Sequence, residues 1–369
     1  MMRRLLRLLS FAFAIRLVPA LCQEPSKPPV PAEQAPAFRA EANLVLVPTL
    51  VRDHSGRPVF ALKADDFSVT DNGVAQNIAL EQDTDGQPLA LVVAIETGGN
   101  GAGRLDEYSR LGILIQALVG DVEHRVAVVG FDSRSHLLQD FSSDWGVVNQ
   151  GLSDLAPGDD RAAIFDAVSF SVDLLRKSPP TYRRAILLVS ETLDRGSETG
   201  LAETVRSVSD TNTIIYSLAF SSTKSNFKQN GSRILRDDRP GPPHGCMAKD
   251  PDAPDQNKVL QFWNCLGLLV PPLRVAQLAV LTGVESMRRN APETIARLTG
   301  GEYYKFGNEN SLEGALVAIS NHVPNRYVLS FHPVSPAPGP HALEVKLNDY
   351  SKLEVTARRT YWVDTTGLN

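Results

Sequence analysis

The stretch Pro88–Asn100, which reads PLALVVAIETGGN, decides the fold of this chain. Its apolar part, Leu89–Ile95, is uninterrupted, and Glu96 and a glycine-rich segment follow it directly. An unbroken apolar run of this kind is typical of a strand that is buried on both faces, as in a parallel sheet. Ligands of open α/β sheets bind at the carboxyl ends of such strands. The stretch therefore predicts a parallel sheet with a carboxylate at the edge where a binding site is expected.

Strand and helix patterns alternate along the chain after this run. Further strands are predicted at Arg125–Phe131, Ala185–Ser190, Thr213–Phe220 and Glu302–Phe306. Helical patterns are predicted at Tyr108–Val119, Ala163–Leu175, Leu201–Ser209, Pro292–Thr299 and Ser311–His322. Such alternation indicates βαβ units and a doubly wound, mostly parallel sheet of the α/β class, similar to Rossmann folds.

The two ends of the folded part have strand patterns only. Residues 41–85 contain an apolar strand pattern over Glu41–Arg52 and a hairpin signal at Asp71-Asn72-Gly73. Residues 326–364 contain three more strand patterns. Because each set has too few strands to bury a face alone, we expect the two sets to pair with each other. The prediction is a composite antiparallel β-sandwich that flanks an α/β domain over residues 86–325.

The N-terminal residues are typical of an exported protein. Met1–Arg7 contains three arginines, Leu8–Leu21 is mostly apolar, and Ala20 and Cys22 are small residues at the two positions that a signal peptidase reads. This pattern predicts a signal peptide over residues 1–22 and a flexible Pro/Ala-rich leader over residues 23–40. The expected location is secreted or periplasmic. Cys22 leaves a lipid-anchored form open as the weaker alternative, because Leu21 occupies a position where a small residue is expected.

Residues 221–284 interrupt the alternation of strands and helices. They are predicted to form an insertion, which opens polar and rich in Pro and Gly and contains Cys246 and Cys265. In an oxidising compartment these two cysteines are expected to form a disulfide. Two buried or free thiols are the alternative.

The composition and the motifs exclude several functional classes. The formal net charge is −5, which argues against a nucleic-acid partner because such a partner requires a basic face. No apolar run after the signal peptide is long enough to span a bilayer. The sequence lacks H-E-x-x-H and G-x-S-x-G, and its glycines at 98–103 do not have G-x-G-x-x-G spacing. We therefore expect a protein that is not an enzyme and has no cofactor.

Four stretches in order resemble the von Willebrand factor type A domain, and more closely the VWFA-related family of secreted acidobacterial proteins. The stretches are Leu44–Val69 followed by Asp71-Asn72-Gly73, Val92–Asn100, Val126–Asp132 followed by Leu137–Phe141, and Arg326–Pro333 together with Lys352–Tyr361. The resemblance spans about Ala42 to Trp362. It implies a type A fold and a protein-binding, adhesion-type function.

The resemblance also implies the position of a site. Type A domains hold a divalent cation, typically Mg²⁺, through two serine hydroxyls, a threonine and aspartates at the edge of the sheet. On this pattern the site residues of the present chain are Glu96, Gly98, Asn100, Asp160, Arg161 and Glu191, with Ala162 at the threonine position.

This chain departs from the type A pattern at most of these positions. Gly98 and Ala162 have no side-chain oxygen, and Glu96 and Glu191 stand where the pattern has aspartates. We therefore expect a degenerate, metal-free polar site, in which Arg161 pairs with one of the two glutamates. A rebuilt cation site formed by the oxygens of Glu96, Asn100, Asp160 and Glu191 is the alternative.

The expected function is that of a secreted, non-enzymatic binding module with a protein partner in the envelope or the extracellular space. Two alternatives stay open. The chain could be an architectural envelope protein with a vestigial site, or an enzyme with its site in the 221–284 insertion.

Overall fold

The computed structural model describes residues 44–81, 86–108, 110–220, 290–334 and 337–363. The predicted signal peptide, the leader, the 221–284 insertion and both Cys246 and Cys265 lie outside these residues. Within them, no helix is both long and apolar enough to cross a membrane.

The strands are β1 (Val45–Arg52), β2 (Phe67–Asp71), β3 (Val74–Ala75), β4 (Ile78–Leu80), β5 (Leu89–Glu96), β6 (His124–Phe131), β7 (Ser135–Ser142), β8 (Arg183–Glu191), β9 (Ile214–Phe220), β10 (Tyr303–Phe306), β11 (Tyr327–Phe331), β12 (Gly339–Leu347), β13 (Glu354–Ala357) and β14 (Thr360–Val363). The α-helices are α1 (Leu111–Val119), α2 (Trp145–Ser153), α3 (Ile164–Leu175), α4 (Leu201–Asp210), α5 (Ala291–Thr299) and α6 (Glu309–His322). Short 3-10 helices cover Ala64–Asp66 and Ala102–Tyr108.

The central sheet has six strands in the order β10-β9-β8-β5-β6-β7. All neighbours are parallel except β7, which runs antiparallel to β6 at one edge. Every residue of β5 is buried, as the apolar run predicts. The strand order therefore confirms the predicted doubly wound, mostly parallel sheet.

Alternate residues of β5 belong to two separate apolar layers. Leu91, Val93 and Ile95 pack in the layer that contains residues of α1 and α6. The layer that contains residues of α3 and α5 includes the intervening residues Ala90, Val92 and Ala94. Because successive side chains of a strand point to opposite faces, one apolar strand supplies both layers. Helices thus cover both faces of the sheet.

The two ends of the chain form one antiparallel sandwich. One sheet has the order β13-β1-β11-β4 and the other has the order β14-β12-β2-β3, so each contains strands from both ends of the chain. Their common core includes Val47, Phe67, Val69, Leu329 and Phe331. The predicted composite sandwich is confirmed.

Two buried polar clusters join the sandwich to the α/β part. Arg358, just after β13, donates hydrogen bonds to Ser209 at the end of α4 and to Asn212 beyond it. Burial lowers the pKa of Arg358 to about 10, so the side chain keeps its charge at neutral pH.

The second cluster is centred on Glu302. Its carboxylate contacts His322 at 2.8 Å and Arg326 at 3.0 Å, and the other ring nitrogen of His322 lies 3.1 Å from the carbonyl oxygen of Gly56. Burial alone would raise the pKa of Glu302, but the bonds from His322 and Arg326 outweigh burial and hold the pKa below its ordinary value. The turn after β1 is thereby fixed to the end of α6.

A third buried cluster lies inside the sandwich, around His341. Nδ1 of His341 contacts Asp71 Oδ1 at 2.8 Å, and Nε2 contacts the Ala337 carbonyl oxygen at 2.6 Å. The hydroxyl of Tyr361 donates to Asp71 Oδ2 at 2.7 Å. Burial alone would lower the pKa of His341, but the bonds to Asp71 and Ala337 outweigh burial and raise it. Both ring nitrogens face acceptors, so the geometry favours the imidazolium form.

We expect the stabilisation from His341 to decrease as the pH rises. A group whose pKa is raised by folding stabilises the fold below its unfolded pKa, and this effect is lost as the pH passes upward through the folded pKa. The ordinary value is 6.5, so the loss begins above that pH. The free energies of unfolding of wild type and His341→Gln, measured by thermal unfolding, should differ by about 1.5–3 kcal/mol below the ordinary pKa of histidine. The difference should shrink toward the alkaline end, and a pH-independent difference would contradict the assignment.

Candidate functional site

The candidate site lies where β5 and β8 end side by side. The chain runs from β5 to β6, which is the neighbour of β5 in one direction along the sheet. It later returns to β8, which is the neighbour of β5 in the opposite direction. This topological switch point is where open α/β sheets bind ligands. Glu96 ends β5 and Glu191 ends β8, and both side chains are buried.

The carboxylate of Glu96 is held by two backbone amides. Its Oε1 accepts a hydrogen bond from the Gly101 amide at 3.2 Å, and its Oε2 accepts one from the Glu191 amide at 2.7 Å. Burial, followed by the nearby charge of Glu191, raises the pKa of Glu96 to about 8. The Gly101 backbone can approach this closely because glycine has no Cβ. A Cβ at this position would lie only 2.4 Å from the Glu96 carbonyl oxygen. Glu96 therefore ties the loop after β5 to the end of β8.

The carboxylate of Glu191 is held by two side chains. Its Oε2 accepts a hydrogen bond from Asn100 Nδ2 at 3.0 Å, and its Oε1 forms an ion pair with Nη2 of Arg195. Burial raises the pKa of Glu191, while the charge of Arg195 and the Asn100 bond act in the opposite direction. Glu191 is 1% exposed and Arg195 is 36% exposed, so this ion pair reaches the surface only through the arginine.

The backbone of Arg195 is fixed next to Ala162. The two residues exchange backbone hydrogen bonds of 3.1 and 2.7 Å, which form an isolated β-bridge. The guanidinium lies over Gly99, where a Cβ would be 2.6 Å from Nη2. Gly99 also has a φ of 49°, in the left-handed region that favours glycine. The missing side chain at Gly99 thus makes room for the charge that neutralises Glu191.

The prediction that Arg161 pairs with a glutamate is wrong. Arg161 is exposed, its amide donates to Asp159 Oδ1 at 2.9 Å, and its side chain lies beside Gly196. The hydrogen bond to Asp159 fixes a turn in which the Arg161 side chain stays at the surface, whereas both glutamates are buried. Asp160 is also exposed.

Sequence reasoning missed Arg195, which takes the role expected of Arg161. The available signal was its spacing, because Arg195 stands only four positions after Glu191. Of the predicted site residues, the described contacts thus bring together Glu96, Asn100 and Glu191.

Gly98 is enclosed by the loop that ends at Ala162. A Cβ at Gly98 would lie 2.0 Å from the Arg161 carbonyl oxygen and 2.8 Å from the Asp159 carbonyl oxygen. The Gly99 amide donates to the Asp159 carbonyl at 2.7 Å, and the Gly158 amide donates to the Thr97 carbonyl at 2.8 Å. The backbone of residues 158–162, called the second loop below, therefore occupies the space where a serine side chain at position 98 would project.

The second loop is anchored by Asp132, which directly follows β6. Its Oδ2 accepts a hydrogen bond from the Asp159 amide at 3.1 Å, and its carbonyl oxygen accepts one from the Ala163 amide at 2.8 Å. Gly158 packs against this carboxylate, since a Cβ there would lie 2.3 Å from Oδ2. Asp132 thus serves to position the loop.

The donor set does not fit a divalent cation. A hard cation needs several oxygen ligands, but both oxygens of Glu96 accept from amides and those of Glu191 face Asn100 and Arg195. Across the described ranges, no group of three or more His, Cys, Asp or Glu side chains is arranged to hold a metal ion. The polar groups at this site instead suit a buried ion pair.

Several solved structures are similar to the chain. A conserved hypothetical protein, BatB from Bacteroides thetaiotaomicron, is 15% identical, with 64% of this chain and 98% of that chain covered and a TM-score of 0.39. An aerotolerance-related membrane protein from Bacteroides fragilis is 17% identical, with 63% and 98% covered and a TM-score of 0.36. The vWF domain of the pilus tip protein Mfa5 from Porphyromonas gingivalis is 20% identical, with 30% and 39% covered and a TM-score of 0.25. No protein-family model and no curated protein matches the chain.

Because these identities and TM-scores are low, the fold is identified from the strand order, helices and buried residues of the chain. Its sheet has six strands with one antiparallel edge, helices cover both faces, and buried acidic residues end the two strands at the switch point. This is the architecture that the sequence resemblance implied. The described part of the chain therefore has a fold like that of the von Willebrand factor type A domain.

Proposed function

We propose that this chain is a secreted, non-enzymatic, protein-binding module whose type A site is degenerate and works without a metal ion. The observation that carries the proposal is the ion pair of Arg195 with Glu191 at the switch point. In this ion pair a side chain of the chain itself supplies the positive charge that a metal ion supplies in the type A pattern. The signal peptide predicted from the sequence supports a partner in the envelope or the extracellular space.

The surface offered to a partner is the exposed rim formed by the loop after β5, residues 97–101, and by the second loop, residues 158–162. Asp160 and Arg161 are exposed there, and the side chain of Arg195 is partly exposed beside them. Charged side chains on loops that a rigid sheet positions are a common form of recognition surface. We place the contact with a partner protein at this rim.

Capture of proteins from an envelope fraction tests this function. The immobilised mature protein should retain partners in EDTA, and Arg161→Glu should reduce their recovery. Lys346→Glu, an exposed charge reversal on the sandwich, is the matched control and should leave recovery unchanged. Capture that EDTA abolishes, or that Arg161→Glu and Lys346→Glu affect equally, would contradict the proposal.

An architectural envelope protein with a vestigial site is the second candidate. It is favoured by the way in which the carboxylates of Glu96 and Glu191 are contacted by amides and side chains of the chain itself. The same capture experiment separates the two functions, because an architectural protein would show no dependence on Arg161.

Magnesium and manganese are expected to leave the stability of the mature protein unchanged. A ligand that binds only the folded state raises its stability by about 2.7 kcal/mol at a hundredfold excess over the dissociation constant. No such gain is expected because Gly98 and Ala162 offer no side-chain oxygen. Thermal unfolding in millimolar Mg²⁺, Mn²⁺ or EDTA measures this. A rise of several degrees that Glu96→Ala removes would show a rebuilt cation site.

A further inference from the structure

We infer that the guanidinium of Arg195 takes the place of a divalent cation in this site. The inference deepens the proposed function and rests on it for the metal-free character of the site. It assigns the missing positive charge to one side chain of the chain.

The position of Arg195 is fixed by three segments that come from different parts of the chain. Its backbone is bonded to Ala162, its guanidinium lies over Gly99, and its Nη2 contacts Glu191. The sequence resemblance places the metal ligands of type A domains on these same three segments. The guanidinium therefore lies among the residues that would surround a cation.

The chemistry of Glu191 requires a positive charge at this position. Its carboxylate is 1% exposed, and a buried carboxylate without a counter-charge is strongly destabilising. Asn100 supplies only a neutral hydrogen bond. An arginine stays charged at every physiological pH and binds a carboxylate without further ligands. It therefore replaces the charge of a metal ion.

The residue changes at the site fit this replacement. A guanidinium is a donor and needs no hydroxyl oxygens, so Gly98 and Ala162 can lack them. A guanidinium also needs more space than an ion, and Gly99 provides that space. The absence of hydroxyl groups at Gly98 and Ala162 thus has a physical reason once the cation is Arg195.

Thermal unfolding of Arg195→Ala in the full mature chain, with Mn²⁺ as the probe, tests the inference. The variant should melt about 5 °C or more below wild type, because Glu191 loses its counter-charge. Millimolar Mn²⁺ should restore part of the loss, and EDTA should reverse that effect. Wild type should respond to neither. Arg161→Ala is the matched control, which removes the neighbouring exposed arginine and should behave as wild type.

The double variant Glu191→Gln with Arg195→Ala adds a second measurement. Removing the buried carboxylate as well should recover stability relative to Arg195→Ala and abolish the response to Mn²⁺. If Arg195→Ala does not fold, Arg195→Gln is measured in the same way.

Two results would overturn the inference. One is an Arg195→Ala protein whose melting is indifferent to Mn²⁺, since Arg195 would then be only the counter-ion of Glu191. The other is a wild-type protein that Mn²⁺ stabilises. Because no partner protein enters these measurements, failed capture of a partner would count against the proposed function and leave this result unaffected.

Discussion

Deletion of the chain from Tyr327 onward is expected to abolish the fold of the N-terminal strands. β1 would lose both of its neighbours, β11 and β13, and β2 would lose β12. The remaining strands could not cover Phe67 and Val69, which are buried in the shared core. An exposed apolar sheet face with unpaired edges is expected to unfold or aggregate.

Hydrogen exchange measures this outcome residue by residue. The amides of Val45, Val47 and Val69 should fall from strong protection to almost none in the truncated chain, because strands without partners open freely. The deletion keeps Arg326, so its bond to Glu302 remains, whereas the bonds of Arg358 to Ser209 and Asn212 are lost together with the strands. A control that lacks only residues 364–369 should keep the protection. Unchanged protection in the longer deletion would mean that the two ends fold independently.

The parts of the fold that sequence reasoning predicted are those that depend on local pattern. The apolar run of β5 is long enough to indicate burial on both faces, and the structure buries every residue of it. The composite sandwich followed from the small number of strands at each end of the chain. In both cases the physical constraint is burial of apolar surface, which the sequence displays directly.

Helix α2 was not predicted. It covers Trp145–Ser153 and is preceded by the capping residue Asp144, whose side chain accepts a hydrogen bond from the Gly146 amide. An aspartate before a helical segment is a recognisable start signal. However, only Val148 and Gly151 of this helix are buried, so its apolar periodicity is too weak to indicate a helix.

The pairing of charges at the site could not be predicted from the sequence. Arg161 and Arg195 are both near the site, and their different roles depend on how Asp159 and Ala162 turn the backbone. The contact of His322 with Gly56 likewise joins residues 266 positions apart. Such contacts follow from tertiary packing, which one sequence does not display. The disulfide between Cys246 and Cys265 stays a prediction.

Substitution of Gly98 by serine is expected to damage the fold, although it restores a residue of the type A pattern. The new Cβ would lie 2.0 Å from the Arg161 carbonyl oxygen and 2.8 Å from Cβ of Asp132. The first of these atoms belongs to the backbone of a loop held by Asp159 and Ala163, so it cannot move as a flexible side chain would. Overpacking of this severity costs about 3 kcal/mol or more.

Thermal or denaturant unfolding of Gly98→Ser measures this loss, with Gly103→Ser as the matched control. Gly103 is five residues away, and a Cβ there would have no neighbour within 4 Å, so the control should melt close to wild type. A fall of about 6 °C or more is expected for Gly98→Ser alone. If Gly98→Ser were instead as stable as wild type and gained stability from Mg²⁺, the loop would be able to open and the metal site would lack only one hydroxyl. The expected destabilisation would show the opposite: the backbone of residues 159–161 has closed over Gly98, so a serine side chain cannot be restored at this position.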